Sequence, residues 1–163
     1  MNIAIDVRPL LYTRTGIGYS ISQILKIFLE YHREHEYLLY GAKRLGKGLV
    51  NQCREKGAGA LDNICPVPFP FRKLSRYYLA MTSSIALQRA GVKVFLGPNY
   101  RGVFSKGFET VITIHDMAHI HYPDFTERRH TYDFLSGKLK DHAGRSKLIL
   151  ADFISTKKDI LNY

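Results

Sequence analysis

His115 and Asp116 close an apolar, largely β-branched run, Val111-Ile112-Thr113-Ile114, and the tail Met117-Ala118-His119-Ile120-His121 adds further imidazoles. An imidazole beside a carboxylate suits proton transfer, charge stabilisation or metal binding. The run itself reads as a strand covered on both faces, as in a parallel sheet. Ligands of such sheets sit outside the carboxyl ends of the strands, where this polar pair falls. The other stretch fit for chemistry is Thr15-Gly16-Ile17-Gly18, at the end of the first strand. Glycines let the main chain approach a ligand closely, and the free N–H groups at a helix start favour a phosphate. A tight turn needing positive φ fits the same spacing equally well. Gly16-x-Gly18-x-x-Ile21 lacks the third glycine of the dinucleotide fingerprint, no acidic residue follows at the expected place, and there is no Walker lysine.

The histidine-rich tail also admits a metal reading. His119 and His121 alternate on one face if the segment is extended, and Asp116 adds an oxygen ligand. The order differs from the His-x-His-x-Asp-His of metallo-hydrolases and no further ligand strand is evident, so no metal is expected. His119 and His121 are then loop-packing or acceptor-contact residues.

Positioning these groups takes an alternation of short strands and helices. Ile3 to Val7, Glu36 to Tyr40, Val92 to Leu96, 110–115 and Lys147 to Ala151 read as strands, with Asn63 to Pro68 as a proline-broken strand or edge segment. Asp6, near the end of the first, is expected to accept N–H bonds from neighbouring loops. Ile17, Ile21, Ile24, Leu25, Phe28 and Leu29 recur at helical spacing. A short amphipathic helix is permitted between Lys43 and Gly59. A longer helix runs from the Phe69–Leu79 region to about Ala90, capped by Gly91. A further helix covers Glu127 to about Ala143, ended by Gly144. Thr156-Lys157-Lys158-Asp159 resembles a capping box opening the last helix. The pattern predicts an α/β fold: one Rossmann-like open parallel sheet of about six strands with helices on both faces.

At 163 residues the chain is most simply one domain. Its net charge of +10 points to phosphates, nucleic acid or acidic lipid as partner. The charges are scattered in small groups such as Lys43-Arg44 and Arg128-Arg129, without the stripe or module of a nucleic-acid binder, so no nucleic acid is expected. Aromatic and basic residues mix in Phe69–Leu79, which fits ordinary packing, acceptor binding or peripheral contact with an anionic membrane. Cys53 and Cys65 carry no zinc spacing and read as buried thiols. No apolar run approaches the roughly 20 residues of a membrane span, and Asp6 interrupts any signal-peptide core, so a cytoplasmic location is expected.

Ile3-Ala4-Ile5-Asp6-Val7-Arg8-Pro9-Leu10-Leu11, Thr15-Gly16-Ile17-Gly18, Gly97-Pro98-Asn99-Tyr100 and Val111-Ile112-Thr113-Ile114-His115-Asp116 together closely resemble the amino-terminal half of retaining glycosyltransferases of family 4. The resemblance extends over nearly all of the chain. It implies one half of a GT-B architecture, with residues 1–163 forming the acceptor-side domain and a carboxyl-terminal domain, absent from this chain, binding the nucleotide-sugar. It implies Gly16, Ile17 and Gly18 near the donor diphosphate and His115 facing the transferred sugar, with Asp116 orienting the loop. Arg8, Asn99, Tyr100 and His119 fall on the acceptor side. The nucleotide-sugar is a co-substrate, no cofactor or metal is implied, and the acceptor is a glycan or lipid-linked sugar. Relatives usually carry a serine where Asp152 stands, which puts a contact from that position in doubt, while Ser155 and Thr156 supply the helix cap. The expected parent enzyme transfers a sugar with retention, and the chain alone is an inactive fragment. The alternative is a stand-alone, non-catalytic phosphate- or glycan-binding module of the same fold. A nucleotide- or phosphate-binding regulator using the glycine turn is a third class.

Overall fold

Five apolar, β-rich runs become strands: β1 (Asn2–Asp6), β2 (Glu36–Tyr40), β3 (Val92–Gly97), β4 (Glu109–Ile114) and β5 (Leu148–Ala151). All neighbours pair in parallel, in the order β2-β1-β3-β4-β5, giving a single open sheet. The computed structural model describes residues 1–12, 16–41, 75–122, 124 and 129–163. The strand expected at 63–68 and the short helix expected within 43–59 lie outside these residues, so the sheet has five described strands where about six were expected.

The helices among the described residues are α1 (Gly16–Tyr31), α2 (Ser75–Arg89), α3 (Ala118–His121), α4 (Arg129–Arg145) and α5 (Ile154–Asn162), with a 3-10 turn over Arg8–Tyr12. Alternation along β1 assigns them to faces. Ile3 and Ile5 pack with Ile21, Leu25 and Leu29 of α1 and with Tyr37 and Leu39 of β2. Ala4, between them, faces the other way, toward Leu87 of α2, Phe95 and Phe108. Register carries the second face across the sheet: Phe95 lies beside Thr110, so Ile112 and Ile114 share its side, and there Leu139 of α4 covers them. Helices therefore occupy both faces, α1 on one and α2 and α4 on the other.

The ends of the helices follow local chemistry with two departures. Gly91 adopts φ +69° directly after α2, the left-handed stop expected of a glycine there. Gly144 does not end α4, which continues to Arg145; a Cβ at Gly144 would meet open space, so the glycine is tolerated rather than required. The last helix starts at Ile154, with Phe153 at the N-cap position and no side-chain cap. Thr156 is thus inside the helix, not its cap, because its hydroxyl has a stronger use elsewhere.

Two features of the connections position the functional edge. Chain order reverses at β1: α1 leads outward to β2, and the chain then crosses back to place β3 on the other side of β1. The crevice outside the carboxyl ends of β1 and β3 is therefore a topological switch point, where open α/β sheets bind ligands. The crossover from β3 to β4 contains no helix. Residues 98–108 make it instead, fixed by the Tyr100 N–H on the Thr113 carbonyl (2.8 Å) and the Thr110 hydroxyl on the Val103 carbonyl. A bond from the Gly102 N–H to His142 Nδ1 (3.0 Å) ties the same crossover to α4.

Candidate functional site at the carboxyl edge

On the β1 side the edge is built on an ion pair. Asp6 is buried at the end of the strand and accepts the backbone N–H of Arg8 at 3.1 Å, as expected of a structural carboxylate there. It also accepts two guanidinium bonds from Arg8, Nε at 2.8 Å and Nη2 at 2.6 Å. The guanidinium lies over the Tyr40 ring, 4.9 Å from its centre. Burial disfavours the Arg8 charge, but the hydrogen bonds and negative charge of Asp6 outweigh it and hold the proton more tightly than usual. The turn after β2 must leave room for this side chain: Gly41 has φ +84°, and a Cβ there would overlap the Arg8 Cγ. Arg8 is thereby a half-buried cation held in place at the switch point.

Gly16, Ile17 and Gly18 form the first turn of α1 on this same edge. Neither glycine has positive φ; Gly41 and Gly91 are the glycines with that conformation among the described residues. The tight-turn reading of the pair is therefore corrected: the chain is already helical at Gly16, where an added Cβ would meet nothing within 4 Å. Gly16 is exposed at the helix start, and the first N–H groups of a helix have no partner within the helix, which favours an anion.

On the β3 side the loop after the strand folds back so closely that a Cβ on Gly97 would collide with the Arg101 carbonyl. Asn99 is half-buried in this loop. Tyr100 takes φ +55°, uncommon for a residue with a side chain, and is held there by its N–H bond to Thr113 and by its hydroxyl, which accepts the Asp116 N–H at 3.1 Å. Burial raises the Tyr100 pKa, and the nearby Asp116 and Asp152 charges add to it, so the hydroxyl stays a neutral donor.

His115 stands at the end of β4, its ring 5.8 Å from that of Tyr100 in an edge-on contact. Its Nε2 meets the Pro98 carbonyl at 2.9 Å and its Nδ1 meets Asp152 Oδ2 at 2.7 Å. Its own carbonyl accepts the Thr156 hydroxyl at 3.0 Å. Asp116 is exposed, and its Oδ1 accepts the Ala118 N–H at 3.0 Å, so it orders the start of α3.

The tail folds differently from the extended segment expected of it. Ala118–His121 is a helical turn, on which residues two apart diverge rather than share a face. His119 is 3% exposed, with neither ring nitrogen hydrogen-bonded, and burial holds its pKa below the ordinary value; it does not line the edge. His121 instead reaches Asp159 of α5 at 3.1 Å. Among the described residues no group of three or more His, Cys, Asp or Glu side chains is arranged to hold a metal ion, and no helix is long and apolar enough to cross a membrane.

Arg8, the Gly16–Gly18 turn, Asn99, Tyr100, His115 and Asp116 thus all follow the carboxyl ends of β1, β3 and β4, three adjacent strands. The contacts made by Asp152, Thr156 and the Pro98 carbonyl were not legible in the sequence, because each joins groups far apart in the chain. The one available signal was an acidic residue directly after an apolar strand. A scan of protein-family models and searches of curated proteins and of solved structures return no match.

Proposed function

We propose that this chain is the acceptor-side domain of a retaining glycosyltransferase, whose partner domain presents a nucleotide-sugar across the edge just described. The observation that carries the reading is the convergence of the family-like motifs on the switch point of a 2-1-3-4-5 parallel sheet. In this reading the start of α1 and the Arg8 guanidinium face the anionic diphosphate and acceptor groups, and Asn99 and the Tyr100 hydroxyl supply hydrogen bonds to sugar hydroxyls. The ring of His115 forms the wall against which the transferred sugar lies. With both nitrogens directed at Asp152 and Pro98, that ring acts by shape and charge rather than by taking a proton from the acceptor.

The test is a pair of titrations followed by amide NMR. Oligosaccharide or lipid-linked acceptors are expected to shift the amides of 97–101 and 115–116, while nucleotide-sugars bind weakly and are not turned over. Tight, stoichiometric nucleotide-sugar binding by calorimetry overturns the assignment to an acceptor-side domain. In the two-domain parent, His115→Ala is expected to lower turnover strongly with little loss of folding; unchanged transfer removes His115 from the site.

A further inference from the structure

The ends of three strands meet through one imidazole. Pro98 follows β3, His115 follows β4 and Asp152 follows β5, and the His115 ring contacts the other two at 2.9 and 2.7 Å. Both facing atoms, a carbonyl and a carboxylate oxygen, are acceptors, so each contact draws its hydrogen from the ring. The carboxylate contact is in the short range of charge-assisted bonds. The ring is mostly enclosed, with 14% of its side-chain surface exposed, whereas Asp152 has 44% exposed, so the carboxylate keeps part of its hydration. Tyr100 closes one side of the ring, and the His115 backbone is held by Thr156, leaving the Asp152 bond as the contact that selects the ring's rotation and its hydrogen-bearing nitrogens.

We propose that Asp152 is a positioning residue: it fixes the His115 ring against the Pro98 carbonyl and, through that carbonyl, holds the 98–101 loop in the form that meets a ligand. The statement about ligands rests on the glycosyltransferase reading; the clasp itself does not. Without Asp152, the ring keeps its Nε2 contact with Pro98 but loses the bond that fixes Nδ1, so one of the two bonds opposing rotation of the ring out of the loop is gone. Asparagine at 152 keeps the shape and a hydrogen-bonding group, acceptor or donor, without the charge and is the conservative replacement.

Long-range proton–nitrogen correlation spectra of the 163-residue chain test this. In the wild-type chain both His115 ring nitrogens are expected to carry bonded hydrogens, with the Nδ1 hydrogen strongly deshielded. Asp152→Ala is expected to lose that signal, move Nδ1 to the position of a bare ring nitrogen and shift the amides of Gly97, Asn99 and Tyr100. Asp152→Asn, whose amide can meet Nδ1 as donor or as acceptor, is expected to keep the ring placed and to restore most of the loop shifts without the strongly deshielded Nδ1 hydrogen. A merely structural loss would move neither ring nitrogen selectively and would not be rescued by asparagine. Ring and loop signals of a folded Asp152→Ala chain identical to wild type overturn the proposal. Should that chain fail to fold, a wild-type spectrum with Nδ1 already bare does the same. These spectra contain no sugar, so a failed clasp leaves the glycan titrations standing, and failed glycan binding leaves the clasp standing.

Discussion

Thr156 donates its hydroxyl to the carbonyl of His115 at 3.0 Å, joining the first turn of α5 to the end of β4. The threonine is buried, so removal of its hydroxyl takes the side-chain donor from a partly buried carbonyl. Thr156→Val, which keeps the shape, is expected to destabilise the fold by about 1–3 kcal/mol. The measurement is a urea midpoint at unchanged slope, with Thr156→Ser recovering most of the loss. An unchanged midpoint for the valine variant would show that the carbonyl finds another donor.

Two glycines flagged by their spacing should behave oppositely. Gly97→Ala drives a Cβ into the Arg101 carbonyl, and backbone cannot rotate aside as a side chain can, so a loss of about 3 kcal/mol, the upper end of the usual overpacking range, is expected. Gly16→Ala meets open space in a helical conformation and is expected to be neutral or stabilising by up to about 1 kcal/mol. The same Gly16 variant separates a ligand role from a folding role: weakened phosphate or nucleotide-sugar binding at undiminished stability shows that close approach of the backbone matters there.

Acid should weaken the fold through two histidines. Burial lowers the pKa of His119, against the opposing charge of Asp116, and burial likewise lowers that of His142, whose Nδ1 accepts the Gly102 N–H. Below the ordinary histidine value of about 6.5, the unfolded chain therefore binds protons that the folded chain does not. Stability is then full above that pH and falls as pH drops through it. Denaturation midpoints between pH 8 and pH 5 read the slope. His119→Leu is expected to flatten it and, by removing an unpartnered buried imidazole, to add about 1 kcal/mol at pH 7.5. A slope untouched by that change assigns the acid sensitivity to other groups.

Removing Asp6 should cost more than an ordinary surface ion pair. Its side chain is 7% exposed and accepts both guanidinium bonds of Arg8, whose own side chain is 38% exposed and so partly screened by water. Asp6→Ala is expected to destabilise by about 1.5–3 kcal/mol, the range for hydrogen bonds to charged groups. Arg8→Lys keeps the charge but not the two-pronged geometry and should recover only part of the pair's contribution. Equal stability of Arg8→Lys and wild type would show that charge alone suffices.

The strands were legible because each is a short apolar run whose composition suits a two-sided sheet: Ile3–Val7, 110–115 and 147–151 were each placed within about two residues of the observed limits. Strand order was not, since periodicity says which face a residue takes and nothing about which strand lies beside it. Thr156 shows how local rules mislead. Its capping-box pattern is real, but the hydroxyl bonds instead to the carbonyl of His115, just after β4. Asp152 fails to stand out for the same reason in reverse: its use depends on a histidine 37 positions earlier, brought close by the β4–β5 pairing. The shared face that His119 and His121 have in an extended segment is lost in the structure, because a two-residue spacing has opposite meanings in a strand and in a helical turn.

The crossover from β3 to β4 is also the inner lining of the edge. Because the same residues must both return the chain to β4 and face whatever docks there, the lining cannot swing without unzipping the strand behind it and breaking the bond to α4. Slow amide exchange at Tyr100 and Gly102, comparable with the central strands, would be the signature of that anchoring.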